Sequence, residues 1–222
     1  MVNKETGAAE GSKLSRRERE RLLRRQEILR AARKVFGARG YERATLDEVA
    51  REAEFAKGTL YSYFASKADL FAELVEHEFD EVLACAKAAL AREEDAAAAA
   101  RALIRVFLDF FGSRADFYRA AMAYRETGKP KEVERLHGVV MKRLGELGDL
   151  WGARFAAGAR DGFFKEYDAR FLGFLLLGIV HYYSVYMFRY GRAENLTDGA
   201  EMLCDIYLEG VRRLGPDAPE ER

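Results

Sequence analysis

The sequence predicts an all-α protein: a small N-terminal helix-turn-helix module joined to a larger helical body. Three observations carry that expectation. Apolar residues recur at three- and four-residue spacing through almost the whole chain, the period of an amphipathic helix. Only 3 prolines interrupt 222 residues, which suits long helices. Two capping boxes, Thr45-Leu46-Asp47-Glu48 and Ser66-Lys67-Ala68-Asp69, open helices close together, each hydroxyl accepting from the backbone three residues on. Hydrophobic residues make up 49%, enough for a core in one domain of moderate size or two small ones.

The elements follow in order. Residues 14–38 begin strongly charged, then show Ile28, Leu29, Ala32, Val35 and Phe36 as a packing stripe that Gly40 ends. Residues 46–53 place Leu46, Val49, Ala50 and Ala53 on one face, and a turn at Glu54-Phe55 follows. A short helix then turns Ala56, Leu60 and Phe64 inward, four residues apart. Residues 66–92 carry Leu70, Phe71, Leu74, Val75, Phe79, Val82 and Leu83, so this helix leaves the module and enters the body as a lever between them. Helices over 96–113 and 116–127 are rich in Phe, Tyr and Met, and Gly128-Lys129-Pro130 breaks the pattern before a long helix over 131–159. In that helix Gly138, Gly145, Gly148 and Gly152 share a face, which suits close backbone packing ahead of the alternative, room for a ligand. Asp161-Gly162 makes a turn, residues 171–188 are apolar, and Asn195 is placed to cap a last helix with the stripe Leu196, Ala200, Leu203, Tyr207, Gly210, Val211 and Leu214. The expected division is a polar, disordered tail over 1–13, the helix-turn-helix module over 14–65, the body over 66–215 and a C-terminal tail over 216–222.

Two helices joined by a turn of a few residues form the arrangement whose second helix enters the major groove of DNA. The outward side of the second helix shows Lys57, Gly58, Thr59, Tyr61 and Ser62, with Tyr63 at its edge. Tyr, Thr and Ser hydroxyls donate to phosphates or base edges, and ring edges pack on thymine methyls. Gly58 lets the backbone approach closely. Lys57 and Lys67 attract phosphates, and the amides at the helix start near Lys67 suit a phosphate as well. Thr45, at the preceding cap, completes the candidate set. Tyr61, Ser62 and Tyr63 are adjacent on one short helix and cannot all be buried. Net charge is zero, but it is unevenly spread. Residues 1–70 hold 16 Lys+Arg against 11 Asp+Glu, a balance of +5, and the rest hold 21 against 26, a balance of −5. A basic head on an acidic body steers one end toward nucleic acid.

These residues resemble the TetR family of bacterial transcriptional regulators. Lys57-Gly58-Thr59-Leu60-Tyr61-Ser62-Tyr63-Phe64 followed by Ser66-Lys67 is similar to that family's recognition helix and the start of its fourth helix. Ile28-Leu29-Arg30-Ala31-Ala32 through Phe36 and Gly40-Tyr41 is similar to its first helix. The likeness covers roughly residues 25 to 75. Two positions depart from the pattern. Glu54-Phe55 stands where Gly-Val is usual, which puts a glutamate at a left-handed turn position, at some strain. Ala56 stands where a capping Ser or Thr is common. The resemblance implies a ligand-responsive regulator, most often a repressor, that binds a palindromic double-stranded operator as a homodimer in the cytoplasm. Two recognition helices then read half-sites about 34–36 Å apart, or multiples of it. It also implies that the last two long helices of each subunit build a four-helix dimer interface, which places Phe171, Leu176, Val180, Tyr183, Leu203, Tyr207 and Val211 there.

A small hydrophobic or aromatic effector is expected inside the body, because apolar pockets with a few polar groups are the usual ligand sites. Phe107, Phe111, Tyr118, Met122, Tyr124, His137, Met141, Phe174 and Tyr182 are the candidates. It would act through the 66–92 helix, by differential affinity for the DNA-bound and released states.

Other classes are disfavoured. There is no Gly-x-Ser-x-Gly elbow, phosphate-cradling glycine loop or His-Glu-x-x-His pair, so no enzyme and no cofactor is expected. Glu73, His77 and Glu81 share a helix face but read as solvated surface rather than a metal site. Cys85 and Cys204 match no metal spacing and read as reduced residues. Residues 171–188 reach the lower length for a membrane span, yet carry His181, Ser184 and three tyrosines and read instead as a helix buried on all sides. The alternative to a regulator is a helical adaptor that uses its apolar helix to bind protein and its basic head to bind DNA without sequence preference.

Overall fold

Most helices start where a side chain can close the first turn. In the computed structural model, which describes residues 15–212 except 94 and 128, Ser15 and Glu18 form a full capping box for α1 (Arg16–Arg43). Thr45 and Glu48 do the same for α2 (Leu46–Glu52). After α3 (Lys57–Tyr61), Ser66 opens α4 (Lys67–Leu90) by accepting from the Asp69 amide. Its hydroxyl donates to the Asp69 carboxylate at 2.9 Å. Asp95 caps α5 (Ala96–Ser113), and α6 (Ala115–Thr127) follows at once. Pro130 begins α7 (Pro130–Arg160), Asp168 caps α8 (Ala169–Arg189), and a 3₁₀ turn over Ala193–Gly199 leads into α9 (Ala200–Val211). The fold is all-α among the described residues. The two expected tails, Gly128 and Leu214 lie outside them.

The last helix differs from expectation. Asn195 lies inside the 3₁₀ turn, with φ −105° and ψ 20°, and α9 begins at Ala200 without a side-chain cap. Burial explains the shift: Leu196 is held in the body core, and a tighter turn delivers it there before the helix can start.

Two cores organise the chain. The first gathers Ile28, Ala32, Phe36, Val49, Leu60, Phe64, Leu70, Phe71 and Leu74, together with Phe117 and Tyr124 of α6 and Leu136 of α7. Its centre is aromatic: Phe71 lies 5.0 Å from Phe36, 4.9 Å from Tyr41 and 5.0 Å from Tyr124, each near edge-on, the geometry that ring quadrupoles favour. The second core gathers Val82, Ala86 and Leu90 with α5, α7, α8 and α9 around Trp151, Phe155 and Phe164. There the Trp151 indole donates to the Tyr207 hydroxyl at 2.8 Å, which donates to the Leu172 carbonyl at 3.2 Å. α4 contributes one end to each core, and Phe79 packs against both.

The glycine face of α7 is only half used. Gly148 and Gly152 press on α8, and a Cβ built on Gly173 would lie 2.2 Å from the Gly148 carbonyl oxygen. Gly138 and Gly145 have nothing within 4 Å of the corresponding point. The close approach therefore depends on Gly173, which the expectation from α7 alone did not include.

Candidate nucleic-acid interface and effector region

The turn before α3 is a Schellman motif. The Phe55 amide bonds to the Ala50 carbonyl at 2.9 Å and the Glu54 amide to the Arg51 carbonyl at 3.1 Å. Glu54 takes the left-handed conformation, φ 58°, the positive-φ residue other than glycine among the described residues. α3 is then pinned by two buried side chains, Leu60 and Phe64. Ala56 is exposed rather than inward; it occupies the N-cap without a side-chain bond.

This pinning turns one face outward. Lys57, Gly58, Tyr61 and Ser62 are exposed and Thr59 is half-buried. Gly58 has open space around it. Tyr61 is 48% exposed, and the Ser62 hydroxyl donates to the Thr59 carbonyl at 2.6 Å. Lys57 bonds to Asp47 at 2.8 Å, and that carboxylate holds its ammonium above the ordinary lysine value. Thr45 is exposed, with its hydroxyl committed to the Glu48 amide at 3.2 Å. Tyr63 is half-buried, with the Arg21 guanidinium 5.7 Å from its ring centre.

Lys67 is placed differently from expectation. Its ammonium donates to the carbonyls of Tyr41, Glu42 and Ala44 at 2.9, 3.1 and 3.2 Å and sits 4.4 Å from the Tyr41 ring centre. It closes the C-terminal end of α1. With its three donors engaged, no N–H remains for a phosphate in this arrangement.

The effector candidates do not form one site. Phe107 is buried in the body core, and Phe111 lies 4.7 Å from Tyr118, which lies 5.1 Å from Phe188. The Tyr118 hydroxyl and Nδ1 of His181 are hydrogen-bonded to each other. Burial raises the Tyr118 pKa and, with Arg125 nearby, lowers that of His181. Met122 is half-buried, and Phe174 covers Gly148 of α7. Tyr124 belongs to the first core instead, where its hydroxyl donates to Glu132 at 2.9 Å. His137, Met141 and Tyr182 are exposed and leave the set: each points away from the core that its helix packs on.

The cavities among the described residues include these two. One of about 110 Å³ lies at the junction, lined by Ala68, Phe71, Ala72, Tyr124, Glu132 and Leu136 among others. The other, about 290 Å³, is polar and lies between α5 and the start of α9, beside Arg105 and Glu201.

The residues expected at a dimer interface mostly face inward. Leu176, Val180, Leu203, Tyr207 and Val211 are buried within the subunit, and Tyr183 is half-buried. Phe171 alone of the seven is exposed, at 63%. The outward stripe is Phe171, Leu175, Tyr182, Tyr186 and Tyr190 on the α8 side, with Met202 and Ile206 on α9. Both sides of α8 are apolar, so periodicity identified the helix and not the side. By length and composition α8 would also cross a membrane, with 39% of its apolar window buried in the subunit.

Sequence reasoning missed the junction between the cores. Glu78 is buried on α4, 2.6 Å from Arg114 and 3.3 Å from Arg33 of α1. Burial pushes its carboxyl up, and the two guanidinium groups pull it back. The signal was available, because Glu78 occupies a core position in the stripe Leu74, Glu78, Val82. Glu73 pairs with Arg25 and Glu81 with Arg114, so the face weighed as a metal site is an ion-pair surface. Cys85 is exposed and Cys204 buried, and both are free.

A short helix held by two inward residues, with a polar outward face at the end of a basic module, defines a helix-turn-helix DNA-binding protein. Residues 28–74 match the profile described as bacterial regulatory proteins, tetR family. Over those residues the chain carries that family's DNA-binding module, and the relatives it matches are named as transcriptional regulators. The chain is 34% identical over 113 residues to the transcriptional activator FasR of Mycolicibacterium smegmatis, covering 51% of this chain and 49% of FasR, so this match spans about half of that protein. It is 24% identical over 188 residues to the transcriptional repressor KstR2 of Rhodococcus jostii, covering 85% of this chain and 91% of KstR2. Its fold is shared by the transcriptional regulator FadR of Bacillus subtilis, solved in complex with stearoyl-CoA. That comparison gives a TM-score of 0.72 at 14% identity, over 83% of this chain and 98% of the other.

Proposed function

We propose that the protein is a cytoplasmic, ligand-responsive repressor that binds a palindromic operator as a homodimer and is released by a small hydrophobic effector. Residues 14–65 read DNA in this scheme, and residues 66–215 dimerise and sense. The observation that carries the reading is the outward face of α3, where Lys57, Gly58, Tyr61 and Ser62 stand clear of the fold. The exposed stripe of Phe171, Leu175, Tyr182, Met202 and Ile206 supports pairing through α8 and α9, since large apolar patches mark interaction sites. The aromatic cluster around Tyr118, and the stearoyl-CoA bound to FadR of Bacillus subtilis, favour a long acyl group as effector. Repression is the sign we assign, as in KstR2.

Selection of bound sequences from a random duplex pool tests the core of this reading. The expected product is an inverted repeat with half-sites about 34–36 Å apart, or multiples of it. An output without preference would favour the helical adaptor. On the selected operator, Lys57→Ala and Tyr61→Ala should each weaken binding by about 1–3 kcal/mol without changing thermal unfolding. Addition of a long-chain acyl-CoA should release the operator.

A further inference from the structure

The first three turns or so of α1 bury nothing. Residues 15–24 are all exposed, and the first buried side chain of the helix is Ile28. No side of the segment is packed, Leu22 and Leu23 included, and a short helix without a packed face does not hold its shape alone in water, so this segment is suited to lie against something.

Its register shows which side does so. From Ile28 onward the stripe Ile28, Ala32, Val35 is core. Followed backward at the same helical spacing, the stripe continues as Arg24, Arg21 and Arg17. The face that packs on the first core therefore becomes a row of guanidinium groups once it runs past that core.

The row borders the α3 face. Arg21 lies over the Tyr63 ring, and Arg25 lies 5.0 Å from the Phe64 ring centre while pairing with Glu73. Two of the three acidic neighbours are already engaged, Glu18 in the Ser15 capping box and Glu20 with Arg16 at 2.8 Å. Arg17, Arg21 and Arg24 form no ion pair among the described residues, and residues 16–27 hold six arginines against three glutamates. The stretch also precedes residue 28, where the family profile begins.

We propose that Arg17, Arg21 and Arg24 form a second DNA contact, an arm that lies along the phosphodiester backbone beside the groove entered by α3. The inference rests on the assignment of α3 to the major groove. Guanidinium groups fit phosphate oxygens and lose little hydration on doing so. The arm adds affinity that is independent of sequence and sensitive to salt.

The test uses the full chain and its selected operator, followed by fluorescence anisotropy across salt concentrations and by hydroxyl-radical footprinting. The Arg17→Ala/Arg24→Ala double variant should bind operator and unrelated duplex more weakly by the same factor, roughly tenfold or more. Its log–log salt slope should flatten by about 0.9 for each phosphate no longer neutralised, and protection should retreat at the outer ends of the footprint. Thermal unfolding should match the parent, since neither side chain is buried. An unchanged slope and footprint, in a parent that binds its operator, would overturn the arm. So would a change in mass by light scattering with the slope unchanged, which would assign the row to a second copy of the chain. A parent that prefers no duplex would instead remove the α3 assignment, and the arm with it.

Discussion

Around α2 and α3, one side of each helix is buried and the other is polar and exposed. Around α8 and α9, both sides are apolar, and only one packs within the subunit. Leu176 is fully buried while Tyr182, on the same helix, is 74% exposed. The difference teaches where a sequence can be trusted to mark an outside. A polar face declares itself, whereas two apolar faces differ only in what covers them. The comparison breaks most sharply if the two apolar faces behave alike. Leu176→Glu places a charge in the body core and should cost several kcal/mol, enough to unfold the body by circular dichroism. Ile206→Glu, 58% exposed before substitution, should leave a folded chain that elutes as a monomer in light scattering. If Ile206→Glu stays dimeric, the outward stripe is not the dimer surface.

A smaller effect separates two glycines. Gly173→Ala forces its new methyl onto the Gly148 carbonyl, and both partners are backbone, so α7 and α8 must move apart. The expected loss is about 1–3 kcal/mol, as for other overpacked cores. Gly145→Ala meets nothing within 4 Å and should gain up to about 1 kcal/mol from helix propensity. Urea midpoints of the two variants should move in opposite directions.

Legibility divides along the same line. Thr45, Ser66, the helix ends near 113 and 160, and the inward pair Leu60 and Phe64 follow from caps and periodicity, which are local. The left-handed Glu54 was visible only through the family resemblance, which puts a glycine at that turn position. The outward face of α8, the pocket set and the role of Lys67 depend on which distant element lies opposite. Lys67 reaches carbonyls of residues 41, 42 and 44, and nothing near it in sequence names them. Gly173 escaped notice for the same reason.

His181 gives a pH signature to the body alone. Burial depresses its imidazole below the ordinary value, so the folded chain resists the proton that the unfolded chain accepts. The stability involved is fully present above about pH 6.5 and is lost as pH falls below it. The slope cannot exceed about 1.4 kcal/mol per pH unit, the limit for one proton. Melting temperature should therefore drop on acidification from neutral, and His181→Gln should flatten the drop. An identical slope in the variant would assign the loss to other groups.

The smallest effect belongs to the head, at Glu54. Its backbone is left-handed, which costs an L-residue about 1–2 kcal/mol, yet both Schellman bonds are made. Glycine adopts this conformation freely but loses more chain entropy on folding. Glu54→Gly should therefore stabilise by about 1 kcal/mol or less, read from the protection of α2 amides in hydrogen exchange. Charge is the competing cause, since Glu54 is exposed beside the proposed DNA surface. Glu54→Gln removes the charge and keeps the strain. A gain confined to the glycine variant identifies backbone strain, and an equal gain in both assigns it to the carboxylate. The body offers no counterpart, because its positive-φ positions, Gly162 and Gly191, already carry the residue that the geometry favours.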